Sequence, residues 1–361
     1  MNKGIWKFLT WFGLLLAVVA VGMIAVLRMQ IFDFGHVFLQ TQNFFSSQTQ
    51  AITQMMTQQT EQSLDVVNVA DVANLQRMQQ NCFSGNDCIP SIDEPKFISP
   101  KLASKFLKDD DLVIGVAFPN AEKEDDPVKA YPIKIMNWHE VVNDYVNETP
   151  VVVTYSTLTM APRVYVTLMG GKGSMFGVSG MMINSNLVLY DRETKSLWNQ
   201  FDGKALTGSQ RGKALKEYPQ FTELTTWGEW LKKYPTTEVL SEDTGFDRQY
   251  DEYPFGDYPD NENIYSSLEH SDTRLNPKEE IFGIMIGNQQ KAYGLTELQK
   301  ALPNGGTLND DFAGQKLTIN YTKNSLSILN TQTKEQLLPH VSYYFAWEAF
   351  YPNTEVFKPS T

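Results

Sequence analysis

Apolar residues fall along this chain in three different rhythms. Residues 8–27 (FLTWFGLLLAVVAVGMIAVL) are without charge over 20 positions. At 1.5 Å per residue such a helix spans a hydrocarbon core of about 30 Å, so the stretch predicts an uncleaved transmembrane helix. Between residues 40 and 80 the background turns to Gln, Thr, Ser and Met, and Phe45, Ile52, Met55, Met56, Val66, Val69 and Val72 recur near helical spacing, which predicts an amphipathic helical stalk. Beyond Ile89-Pro90 the apolar runs shorten. Residues 113–118 and 151–155 read as buried strands, and residues 187–190 and 196–200 read as hairpin arms around the polar turn DRETK. Thr226-Trp-Gly-Glu229 has the form of a capping box for a helix that turns Trp227, Trp230, Leu231 and Tyr234 inward and stops at Pro235. Asn137 is expected to cap another helix, with Glu140 at its third position.

Some of these blocks recur. DLVIGVAF, KAYPIKI and TPVVVTY are echoed in the same order by EIFGIMIG, KAYGLTEL and KLTINYTK within residues 280–323, and TTWGEWLKKYPTTEVL is echoed by YYFAWEAFYPNTEVF. Four ordered echoes predict two related modules. The expected architecture is α+β and strand-rich, with a cytoplasmic N-terminus (1–7), the transmembrane helix (8–27), the stalk with a cysteine loop (28–88), and modules at 89–275 and 276–361.

Charge and cysteine content narrow the setting. Lys3 and Lys7 precede the apolar helix and only Arg28 follows closely, which places the N-terminus in the cytoplasm and the bulk of the chain in an extracytoplasmic or periplasmic space, with the membrane as one partner. A net charge of -12 with no basic block argues against nucleic acid. Cys82 and Cys88 are the only cysteines of the 361 residues, too few for an all-cysteine zinc or iron–sulfur site. They bracket FSGND, whose Gly85-Asn86 supplies a turn, and a disulfide between them is expected in that compartment.

The densest chemistry lies near His139. His139-Glu140-Val-Val-Asn143 misses the zinc signature H-E-x-x-H by one residue, and Asn143 is a poor zinc ligand, so no metal is assigned. His139 then has two open roles: a hydrogen-bonded core histidine, or a site residue acting as acid, base or ligand. Ser156 closes the 151–155 strand, without the G-x-S-x-G elbow of a serine hydrolase. Residues 170–173 (GGKG) lack the spacing of a phosphate loop and read as a hairpin turn, and residues 251–263 read as a solvated, Pro-punctuated loop.

Taken together, IPSIDEPKFIS, KAYPIKIMNWHEVVND, FGVSGMMINSNLVLYDRETKSLWNQ, TTWGEWLKKYPTTEVLS and Pro277-Lys278-Glu279 resemble the DUF3179 family, a domain of unknown function. The resemblance implies a compact domain and no particular reaction. Members read VTYCPLTGTA where this chain has VTYSTLTMA, so Ser156 stands where the family has a cysteine. Along the matching motifs the candidate site residues are His139, Ser156, Ser179, Asn184, Asn186, Asp191 and Arg192, with Tyr190 and Trp198 beside them; Asp191 and Arg192 are equally suited to holding a hairpin turn. The function expected is a membrane-anchored binding or interaction domain with a cleft near His139 for a small molecule or protein, and no cofactor is assigned. The alternative is an enzyme or metal-handling protein using His139 with Ser156, degenerate for want of the cysteine.

Overall fold

Short apolar runs hide their backbone polar groups by pairing edge to edge, and that is what this chain does. The computed structural model describes residues 69–82, 85–117, 128–146, 148–218, 222–322 and 325–359. Five sheets of four or five strands carry the fold, with a two-stranded ribbon, Leu168–Met169 and Lys172–Gly173, turning through Gly170-Gly171. The first sheet orders Gln79–Gln80, Phe176–Ile183, Asn186–Asp191 and Leu197–Asn199. The second orders Lys216–Glu217, Ala161–Val166, Thr149–Ser156 and Val141–Val146. In the third, Thr222–Thr226 precedes Leu112–Val116, Lys129–Pro132, Glu238–Leu240 and Phe97–Ile98. The fourth runs His340–Tyr343, Glu280–Ile286, Gln289–Gly294, Glu355–Val356, and the fifth Gly306–Phe312, Gln315–Thr322, Ser325–Asn330, Gln336–Leu337.

This overturns the expected α+β class. Five small sheets match the blade count of a five-bladed β-propeller. The helices Ile133–His139, Trp227–Lys233, Leu295–Ala301 and Tyr344–Phe350 have seven residues each, about two turns, and serve as corners after a strand rather than as a layer. Residue 68 onward is one compact unit. Val153 of the second sheet, Ile114 and Tyr131 of the third, Ile284 of the fourth and Ile319 of the fifth share a single buried core.

Within that unit the echoed motifs have a physical cause. In the third sheet Leu112–Val116 lies between Thr222–Thr226 and Lys129–Pro132, and Glu238–Leu240 returns parallel to the latter; the fourth sheet is wired identically. Gly115 and Gly283 lie under the rings of Trp230 and Trp347, where any Cβ would overlap the indole. Each indole N–H is held by a threonine, Thr237 at 3.0 Å and Thr354 at 2.8 Å. The two Lys-Ala-Tyr motifs each grip one carboxylate: Lys129 and Tyr131 meet Asp144, and Lys291 and Tyr293 meet Asp310.

Local expectations divide. Trp227 and Trp230 are buried, and the helix ends at Tyr234 before Pro235, but Thr226 at its N-cap makes no side-chain capping bond. Asn137 does not cap a helix: Pro132, with its fixed φ, occupies the N-cap, Asn137 lies inside the last turn, and Glu140 ends the helix in the left-handed conformation at φ 56°. Residues 8–27 and the stalk up to residue 68 lie outside the described residues. Among the described residues no helix is long and apolar enough to cross a membrane. The described end of the stalk, Val69–Arg77, leads into the Gln79–Gln80 strand, which pairs with Met181 and Met182.

Candidate functional site

The hairpin Phe176–Ile183/Asn186–Asp191 crosses the end of the Thr149–Ser156 strand, and this crossing collects several predicted residues. Ser156 Oγ accepts the Leu187 N–H at 3.1 Å. Asn186 accepts the Thr159 hydroxyl at 2.8 Å and donates to Gln200, which in turn donates to Thr154 and to the Ala161 carbonyl. Asn184, in the hairpin turn at φ 53°, accepts the Glu269 N–H and donates to its carboxylate. Ser179 stabilises a bulge, donating to Val188 O and accepting the Met181 N–H. At the far end Asp191 holds its own turn through Thr194 and the Trp198 indole, while Arg192 reaches Asp87, Asp93 and Ser91. The hairpin therefore separates Asn184 and Asn186 from Asp191 and Arg192. The Cys82–Cys88 disulfide, formed as expected, lies along it: the Asp87 N–H donates to Val178 O and the Asn81 N–H to Gly180 O.

His139 is fully buried with both ring nitrogens engaged. Nδ1 lies 2.8 Å from the Pro90 carbonyl, which fixes the proton there, and Nε2 accepts the Tyr250 hydroxyl at 2.7 Å. Burial pushes its pKa below the ordinary value. The neighbouring Glu140 shows the stronger perturbation: burial pushes its carboxyl up to about 8, against the opposing hydrogen bonds from Thr157. Glu140, Ser156, Ser185, Leu187 and Cys88 line a cavity of about 10 Å³, room for roughly one water. His139 is not among its lining residues. Among the described residues no three His, Cys, Asp or Glu side chains are placed to hold a metal.

A larger opening lies where four sheets meet. This cleft, of about 450 Å³, is lined by Arg163 and Val164 from the second sheet, Thr222 and Leu224 from the third, Phe282 and His340 from the fourth and Ser327 from the fifth. Arg163 is 4% exposed: Nε donates to Phe201 O at 3.1 Å, Nη1 donates to Pro162 O at 2.7 Å, and Nη2 has no partner. Glu217, on the neighbouring strand, stands 3.9 Å from Arg163 Nε and 3.3 Å from His340 Nε2. Burial would raise its carboxyl, but His340 and Arg163 prevail and hold it down to about 2. His340 Nδ1 and Thr222 Oγ1 are likewise buried without partners. A depression of about 660 Å³ beside Val166 and Leu168 is different, since its charged lining residues Lys213 and Lys216 are exposed.

The model of the family described as "Protein of unknown function (DUF3179)" matches residues 86–337. The chain belongs to DUF3179. The DUF3179 match takes in Glu140, Ser156, Arg163 and Glu217 and ends short of His340. No curated protein and no solved structure matches the chain. Sequence reasoning missed the Arg163, Glu217 and His340 group. One signal was available: Arg163 is the only charge in the apolar strand APRVYV, the pattern of an ion held inside a sheet. Glu217 and His340 lie far from it in sequence and carry no local mark.

Proposed function

We propose that this DUF3179 protein is a membrane-anchored, extracytoplasmic binding protein whose small-molecule ligand occupies the cleft between the four sheets. The observation that carries this reading is the cleft itself, about 450 Å³ and lined from four sheets, with Arg163, Glu217 and His340 gathered in its wall. A cleft of that size falls within the range of small-molecule sites. The uncharged stretch of residues 8–27, the lysines before it and the Cys82–Cys88 disulfide support the anchored, extracytoplasmic setting. C-terminal reporter fusions active only in the cytoplasm would reject that orientation.

Catalysis at Ser156 is the weaker reading. Its hydroxyl is engaged by Leu187, its cavity holds roughly one water, and His139 has no free nitrogen. The binding reading is tested by thermal melts of the detergent-solubilised full chain against a panel of small metabolites, alongside Ser327→Trp, which fills the cleft from its half-buried wall. A ligand that raises the Tm of the wild type and leaves Ser327→Trp unmoved supports it. Equal shifts in both proteins reject it.

A further inference from the structure

We propose that the depression beside the two-stranded ribbon, Leu168–Met169 and Lys172–Gly173, is a docking face for an anionic phospholipid bilayer. The proposal stands apart from the cleft and takes from the reading above only the nearness of a membrane. The wall of the depression is mostly apolar, Val166, Leu168, Met169, Trp198 and Leu215 among it. Leu168 is 55% exposed. Tyr145, 64% exposed, brings its hydroxyl close to Gly173 of the same ribbon. An aliphatic side chain and an aromatic ring with a polar tip, both left in water at one place, suit the boundary between headgroups and acyl chains.

Charge selects the partner. The chain is acidic overall, at -12, yet residues 203–216 carry Lys204, Arg211, Lys213 and Lys216 and no acid. Lys213 and Lys216 line the depression, Lys204 is bridged to the lining Ala214, and Lys172 stands on the ribbon; all four lysines are exposed. Lys204 pairs with Asp202 at 2.9 Å, but among the described residues Lys172, Lys213 and Lys216 have no acidic partner. Glu217, next to Lys216, is drawn to His340 and Arg163, which leaves Glu148 as the one exposed carboxylate adjoining a lining residue in sequence. An acidic body with one basic, apolar face meets an anionic surface with that face forward, its lysines at the phosphates and Leu168 and Tyr145 reaching past them. A soluble anion would satisfy the lysines and leave the apolar wall in water. The chain also arrives here: the helix Val69–Arg77, which follows the uncharged residues 8–27 in sequence, is fastened to the basic segment by the bond from Asn74 to Leu206 O at 2.7 Å.

The test reconstitutes the full chain into phosphatidylcholine vesicles, with and without phosphatidylglycerol, and follows amide hydrogen exchange over residues 168–173 and 203–216. Exchange there should slow about fivefold or more in the phosphatidylglycerol vesicles and return to the phosphatidylcholine rate in high salt. Lys213→Gln with Lys216→Gln should abolish that protection, Lys213→Arg with Lys216→Arg should keep it, and Leu168→Ser should reduce it; these positions are exposed, so the melting curves should match the wild type. Equal exchange in the two lipids, protection that persists in the double Gln variant, or the same protection from soluble glycerol phosphate overturns the inference. Flotation reads the anchor separately. A chain that fails to float with phosphatidylcholine vesicles refutes the anchored reading, and flotation with phosphatidylglycerol vesicles that the double Gln variant loses then still supports the docking face. A chain that floats with neither overturns both.

Discussion

Replacing Glu140 by Gln should stabilise the protein at neutral and alkaline pH and leave it nearly unchanged near pH 4.5. Glu140 is 6% exposed, and burial moves its carboxyl from an ordinary 4.5 up to about 8. The unfolded chain loses this proton near pH 4.5 and the folded chain loses it near pH 8, so between those values the folded state binds more protons and stability falls as pH rises. The contribution is fully present below pH 4.5, is lost progressively up to about pH 8, and is flat beyond. At about 1.4 kcal/mol for each pH unit, the loss is roughly 3 kcal/mol at pH 7 and approaches about 5 kcal/mol above pH 8. Gln has the same shape, keeps an oxygen for Thr157 and does not ionise, so its profile should lack this fall. Urea unfolding of both proteins from pH 4.5 to 8.5, read as midpoints, measures the difference directly. Parallel profiles would refute the reasoning, because they would mean that Glu140 ionises normally in the fold.

Gly115→Ala and Gly283→Ala should each destabilise the chain by ~1–3 kcal/mol, since the new methyl would overlap Trp230 or Trp347; unchanged denaturation midpoints would contradict that packing. His139→Ala should cost roughly 2–3 kcal/mol through the orphaned Pro90 carbonyl and Tyr250 hydroxyl and the lost ring, with cleft binding preserved; a folded variant that loses ligand affinity would return His139 to the site. Because burial lowers the pKa of His139, its neutral form supports the fold above pH 6.5 and that support fades as pH falls below it, so the wild type should lose stability on acidification in a way His139→Ala does not.

Strand positions were legible because their signals are local. The continuous apolar run in residues 151–155, the DRETK turn and the Gly170-Gly171 turn each carry their pairing in adjacent residues, and each forms as expected. The assembly of sheets was not legible. Helix-forming segments such as IKIMNWH give no sign that they stop after seven residues, and it is their shortness that turns an expected α+β layering into five strand-built sheets. The spacing of Glu140 from Asn137 fits a helix start; the Pro132 N-cap moves that start upstream and leaves Glu140 as the buried end. Arg163, Glu217 and His340 come from three distant segments: strand pairing within the second sheet sets Glu217 beside Arg163, and the packing of the fourth sheet brings His340 to them.

Whether the ligand sits where the four sheets converge is decided by a crystal structure of the full chain grown with the metabolite that raises its Tm the most. The ligand is expected in the cleft, against Phe282 and Leu326. A ligand bound beside His139 or elsewhere on the surface, with the cleft empty, would contradict the binding reading.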